Sequence, residues 1–189
     1  MFLVILLVLA GITALTVWLV YRPHNPKFRV VNAAVYQLNT TTTTTGNLLI
    51  STTMQFALIT RNPNRRVSFQ YDQLTAFVTY RDQAITQPAI LPPLFHNTKS
   101  TVALSPVLGG SGVPVAPEVV NGLEMEQATY EVVGLRLVLT GKLKYKSRVV
   151  FRSGRYGIYV RCDLFVAFKK GFLGQLPLLG SPRPCAVDV

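Results

Sequence analysis

Charge is absent from the first twenty residues, Met1 to Val20 (MFLVILLVLAGITALTVWLV). That excludes the ordinary surface helix of a soluble domain, which needs a polar stripe along one face. Acids are scarce throughout: eight Asp and Glu stand against nineteen Lys and Arg, a formal net charge of +11. Histidine occurs only as His24 and His96, and cysteine only as Cys162 and Cys185, with no CxxC spacing and no histidine near either cysteine. No zinc site and no cofactor is therefore expected. GxSxG, P-loop, HExxH and GxGxxG patterns are missing from any strand–turn–helix context. His96 lies in Leu94-Phe95-His96-Asn97 with no serine, cysteine or carboxylate that spacing would bring to it. A general base needs both an orienting partner and a nucleophile in reach, so no catalytic residue is assigned and a non-enzymatic protein is expected. After residue 22 no long stretch shows a 3.6-residue period, which argues against a helical bundle.

What the sequence does hold begins with that uncharged N-terminus. Twenty helical residues rise about 30 Å, the thickness of a bilayer's hydrocarbon core. Trp18 and Tyr21 stand at one end, and Arg22, His24, Lys27 and Arg29 follow at once. A cleaved secretory signal would have a basic start, a core of about 7–15 residues and a small-x-small cleavage site. Here the start is bare, the core is longer, and the cleavage zone reads Leu15-Thr16-Val17-Trp18. Residues 1–21 are read as a retained transmembrane helix and 22–27, with Pro23 and Pro26, as a stiff connector. The remaining 28–189 suffice for one domain with a real core.

In that domain the dominant period is two. Phe28, Val30 and Val35 suggest a first strand, and the threonine run Thr40–Thr45 reads as an exposed loop. Ile50, Met54, Phe56 and Leu58 share one face, and their strand stops at Asn62-Pro63-Asn64. That triplet is a turn signal, since proline fixes φ and asparagine can bond its own backbone. Leu74, Ala76, Val78 and Tyr80 alternate next; a proline-rich stretch (Pro88, Pro92, Pro93) precedes Thr98–Leu108, and Gly109–Pro117 reads as loop. Asn121–Thr129 has room for one helical turn. The late alternations are the clearest: Leu135, Leu137 and Leu139, then Leu143, Tyr145, Val149 and Phe151, then Tyr156, Ile158, Val160, Cys162, Leu164, Val166 and Phe168. Short strands with turn signals between them predict an all-β sandwich or barrel.

Three constellations are candidates for function. From Glu131 to Lys170 ten basic residues face two acids, so this segment carries +8 of the net charge. Within it Lys142, Lys144, Lys146 and Arg148 alternate with Leu143, Tyr145 and Ser147, placing four cations on one strand face over about 20 Å. Such a row suits phosphate, an acidic polymer or anionic headgroups; it also suits a solvated outer face that discourages edge-to-edge pairing. Nucleic acid is not the expected partner, because the anchor opposes it and no aromatic platform is interleaved. Asn39-Thr40-Thr41 is an N-glycosylation acceptor triplet in the loop reading. Cys162 points with the core residues of the last strand, while Cys185 lies in the tail. In an oxidising compartment a bridge between them would stabilise the fold by about 3 kcal/mol; in the cytosol they would remain one buried and one exposed thiol.

Taken in order, these features resemble the plant harpin-induced-like proteins, whose outer domain is of the late-embryogenesis-abundant type-2 class. The matching residues are the anchor, then Tyr21-Arg22-Pro23 and Pro26-Lys27-Phe28-Arg29-Val30, then Ala34-Val35 and Leu38-Asn39. They continue with Arg61-Asn62-Pro63-Asn64, Tyr71-Asp72, Val78-Thr79-Tyr80-Arg81-Asp82, Leu91-Pro92-Pro93 and Val113-Pro114-Val115. Gly141 with its basic strand and Val160-Arg161-Cys162-Asp163 complete the series. The resemblance implies an immunoglobulin- or fibronectin-III-like sandwich on a single-pass anchor at the plasma membrane, linked to pathogen defence and stress, with no enzymatic activity. Asn62, Pro63 and Asn64 resemble that family's turn motif.

Members of that family usually carry a cytosolic tail ahead of the anchor, whereas this sequence begins within it. Arg22, Lys27 and Arg29 by themselves would place the C-terminal domain in the cytosol. The acceptor triplet, the cysteine pair and the resemblance place it outside, and that is the expectation adopted. The expected role is that of an interaction module whose partner is anionic lipid, an acidic cell-wall polymer or a defence-related protein. The competing expectation is a structural stress protein that protects membranes or partners during dehydration without a specific ligand.

Overall fold

The computed structural model describes residues 1–21, 24–147, 154–167, 174–176, 178 and 184–189. Arg22, Pro23, Arg148, Val149, Phe151 and Phe168, which the sequence reading uses, lie outside them. The chain opens with α1 (Phe2–Tyr21), every described side chain of which faces outward. Its two threonine hydroxyls are occupied within the helix: Thr13 donates to the Ala10 carbonyl and Thr16 to the Thr13 carbonyl, each at 2.9 Å. Threonine hydroxyls bonded to the helix's own carbonyls suit a hydrocarbon environment.

Among the described residues twelve strands and one further helix follow. They are β1 (Lys27–Thr42), β2 (Leu48–Arg61), β3 (Val67–Tyr80), β4 (Gln83–Ala84), β5 (Ala89–Ile90) and β6 (Leu94–His96). Next come β7 (Thr101–Leu104), β8 (Val107–Val115), α2 (Pro117–Thr129), β9 (Val132–Ser147), β10 (Arg155–Ala167), β11 (Gly174–Leu176) and β12 (Ala186–Asp188). One sheet runs β11-β1-β2, with β7 and β8 sharing the far edge of β2. The other runs β12-β10-β9-β3, with β4, β5 and β6 along the far edge of β3, and all pairings are antiparallel. Phe28, Val30, Ile50, Met54, Phe56 and Leu58 from the first sheet meet Phe69, Tyr71, Val78, Leu137, Leu139 and Val160 from the second in one continuous core. The fold is an all-β sandwich preceded by one apolar helix, as the period-two runs predicted.

Four local departures have physical reasons. The threonine run begins as strand: β1 continues to Thr42, because β-branched side chains fit a pleated surface, and only Thr43–Asn47 turns, with Gly46 at φ +81°. Most of Gly109–Pro117, expected as loop, lies in strand β8 (Val107–Val115), held flat against β2 by glycine; a Cβ on Gly109 would stand 2.5 Å from the Thr52 carbonyl oxygen. α2 is a full helix of 13 residues rather than one turn, started by Pro117 at its first position and seated through Val119, Val120 and Leu123. β3 starts at Val67 and carries a bulge between Asp72 and Thr75, with Gln73 at φ 52°. The bulge moves the buried set from Val67, Phe69 and Tyr71 to Leu74, Ala76 and Val78.

Candidate interaction surface

β9 carries Lys142, Lys144 and Lys146 on the outer face of its sheet, while Leu143 is buried and Tyr145 half-buried against the core. The pairing registers set the neighbours of this row: Asp72, Gln70 and Ser68 on β3, and Gly157 and Arg155 on β10. Lys144 Nζ reaches Asp72 Oδ2 at 3.1 Å, with the lysine side chain 22% exposed. Lys146 Nζ stands 5.4 Å from the Phe95 ring centroid, a cation–π contact. Lys142 and Arg155 project into solvent. The row therefore presents Lys142, Lys146 and Arg155 as available charge, and Lys144 as a cation already paired. Arg148 lies outside the described residues. Arg155 was missed by sequence reading, because only the register of β10 against β9 shows that it stands beside Lys144.

Toward the far end the same face is neutralised. Arg136 bonds both Asp82 and Asp163, and Arg161 bonds Asp188 at 3.2 Å. An open cavity of about 370 Å³ lies there, lined by Arg81, Asp82, Gly134, Arg136, Asp163 and Phe165 among others. Arg81 pairs with Glu126 and Arg136 with both carboxylates, so each arginine described in the lining is already paired, and those carboxylates hold the Arg136 guanidinium pKa above its usual value.

Asn62-Pro63-Asn64 is more than a turn. Asn62 is fully buried; its Nδ2 donates to the carbonyls of Val67 (2.9 Å) and Asn97 (3.0 Å), and its Oδ1 accepts from the Asn64 backbone N–H at 2.9 Å. Asn64 then clasps the chain that arrives from α1: its Oδ1 accepts from the His24 N–H at 2.9 Å, and its Nδ2 donates to the His24 carbonyl at 2.8 Å. The 62–67 loop, the 96–100 loop and the connector are thereby tied into one unit.

Asn39 is exposed on β1 opposite Ser51, in a strand and not in the expected loop. Cys162 and Cys185 form a disulfide with Cα atoms 4.4 Å apart. It fastens the C-terminal segment along the seam between the sheets, where the Cys185 N–H donates to the Phe28 carbonyl at 2.9 Å and β12 pairs with β10. His96 is fully buried against Phe69 and Tyr71, with Nε2 on the Ser100 carbonyl at 2.9 Å. Desolvation lowers its pKa and raises that of the Tyr145 phenol, while Tyr80 is pushed up to about 12, first by burial. Among the described residues no group of three His, Cys, Asp or Glu side chains is placed to hold a metal.

An all-β sandwich carried behind one apolar N-terminal helix, with a cationic outer strand and a clasped connector, defines the class of protein. No protein-family profile matches the chain. It is 34% identical to NDR1/HIN1-like protein 26 of Arabidopsis thaliana over 152 residues, covering 80% of this chain and 70% of that protein. It is 32% identical to NDR1/HIN1-like protein 1 of the same plant over 160 residues (83% and 73%), and 29% identical to NDR1/HIN1-like protein 3 over 193 residues (98% and 78%). The chain belongs to the NDR1/HIN1-like family, the harpin-induced-like group that its sequence resembles.

Proposed function

We propose that this protein is a single-pass plasma-membrane protein whose β-sandwich faces the cell exterior and serves as a non-enzymatic interaction module in plant defence and stress responses. Family membership supports the biological setting. The apolar helix supports the anchor, and the disulfide supports an oxidising compartment. The buried, hydrogen-bonded ring of His96 supports a structural role for the one histidine within the sandwich. The observation that carries the reading is the outward row of Lys142, Lys146 and Arg155, a cationic strip on a rigid sheet. Its partner class is acidic: a cell-wall polyuronate or an acidic face of a defence-related protein.

Each cation at an anionic surface contributes about 1 kcal/mol, so removing three weakens binding about a hundredfold if the contributions add fully. The test uses the full chain in uncharged phospholipid nanodiscs and polygalacturonate as the probe. Lys142→Ala/Lys146→Ala/Arg155→Ala is expected to lower affinity by at least about tenfold at physiological salt. Unchanged affinity, or no binding by the parent protein, overturns the assignment of this face.

A further inference from the structure

The sequence is charge-polarised along the sandwich axis. Its first acid is Asp72, so nothing from Met1 to Tyr71 opposes the basic residues there. Six of the eight acids gather at the end that carries α2 and the β3–β4 turn: Asp82, Glu118, Glu124, Glu126, Glu131 and Asp163. β3 runs from one end of the sandwich to the other, and its 14 residues span about 40 Å.

The opposite end is the one the connector enters. Three peptide links separate Tyr21 from His24, and consecutive Cα atoms are about 3.8 Å apart, so the end of α1 lies within about 11 Å of the Asn64 clasp. Four exposed cations stand at this end: Lys27 and Arg61, paired opposite one another on β1 and β2, Arg65 in the loop after them, and Lys99 in the neighbouring loop. Among the described residues none of the four takes part in an ion pair. The Lys99 N–H donates to the Asn64 carbonyl at 3.0 Å, so the loop bearing Lys99 is fixed to the same clasp. The six acids about 40 Å away lie several screening lengths off at physiological salt, and the two nearer ones, Asp72 and Asp188, are taken by Lys144 and Arg161.

We propose that Lys27, Arg61, Arg65 and Lys99 form a collar that seats this end of the sandwich on anionic lipid headgroups of the bilayer holding α1. The proposal rests on the reading of α1 as a membrane anchor. The clasp pre-positions the four cations beside the point where the chain leaves the membrane, so little further ordering is needed for phosphate oxygens to meet them. The sandwich then stands upright, with the strip of β9 facing sideways and the acidic end turned away from the surface.

The test compares the full chain in nanodiscs of pure phosphatidylcholine with discs containing about 30% phosphatidylserine. Acetylation rates of individual lysines are read by mass spectrometry. Lys27 and Lys99 are expected to react about fivefold more slowly in the anionic discs, Lys142 at the same rate, and about 0.5 M salt to abolish the difference. In Arg61→Gln/Arg65→Gln, whose replaced side chains are exposed, the protection at Lys99 falls at least about twofold. Equal rates in both discs, protection of Lys142 matching that of Lys99, or protection indifferent to the two substitutions each overturns the collar. The anchor reading is tested separately by elution: protein that leaves pure phosphatidylcholine discs at high salt overturns the anchor and the collar with it. Protein that stays in the discs with equal lysine rates overturns the collar alone.

Discussion

At the residue scale the sandwich depends on a few polar side chains whose partners are remote in sequence. Asn62-Pro63-Asn64 is legible as a turn because proline fixes φ and asparagine bonds locally, and the Asn64 N–H to Asn62 Oδ1 bond is that local part. The bonds to Asn97, Val67 and His24 cross between loops, and no periodicity announces them. Lys144 shows the same limit: its place in an alternating row is visible in sequence, but its partner Asp72 is 72 residues away. His96 sits between these cases. Its Nδ1 has no partner among the described residues, Nε2 is occupied by the Ser100 carbonyl, and the ring is buried, so protonation is disfavoured and the folded-state pKa lies below the ordinary value of 6.5. The unfolded chain then binds the proton more readily than the folded one. Stability is full above the unfolded pKa and falls as pH drops through about 6.5 toward the lower folded value. Thermal melts at successive pH values from neutrality downward should show this loss, and His96→Gln should flatten the slope in that window; an unchanged slope would assign the pH dependence elsewhere.

At the element scale, strands with one buried face were readable and strands shaped by glycine or by bulges were not. The buried positions of β2 and β10 follow a strict period of two, so their core faces could be written from the sequence. β8 could not, since Gly109 and Gly110 read as loop until the Thr52 carbonyl is seen to occupy the space a Cβ would need. The clearest case is Gly141. The β3 bulge presses its backbone toward β9, and a Cβ on Gly141 would meet Leu74 Cα at 2.9 Å and the Gln73 carbonyl oxygen at 3.0 Å. Because those atoms are backbone, they cannot rotate aside. Gly141→Ala is therefore expected to cost about 1–3 kcal/mol by overpacking. Gly157, on the paired strand β10, has nothing within 4 Å of the same added carbon, so Gly157→Ala serves as the neutral comparison. Urea midpoints that move equally for both would show that strand propensity, and not the bulge, decides the outcome.

At the scale of the whole molecule, two physical tendencies oppose each other over the side of the membrane on which the proposed anchor would hold the sandwich. The cations just after the apolar helix favour retention of that flank in the cytosol. The disulfide favours the exterior, since cytosolic thiol pools keep such pairs reduced. The bridge also has structural work that a pair of thiols would not do. It closes a loop with a sequence separation of 23 and holds the C-terminal segment in the seam between β1 and β10. In the chain-entropy account that closure stabilises the fold by about 3 kcal/mol. An exterior sandwich therefore predicts that protein taken from plant cells without reductant, and unfolded in a thiol-blocking reagent, carries no label on Cys162 or Cys185. Reduction before blocking should label both and lower the unfolding free energy by about that amount. The same topology exposes Asn39 on β1 to the glycosylation machinery, so a glycosidase should increase the gel mobility of the parent protein and leave Asn39→Gln unaffected. Two freely labelled cysteines in the native extract, together with an unmodified Asn39, would place the sandwich in the cytosol. In either orientation the collar meets the anionic headgroups of the leaflet it faces; the cytosolic leaflet, richer in them, would hold it more tightly.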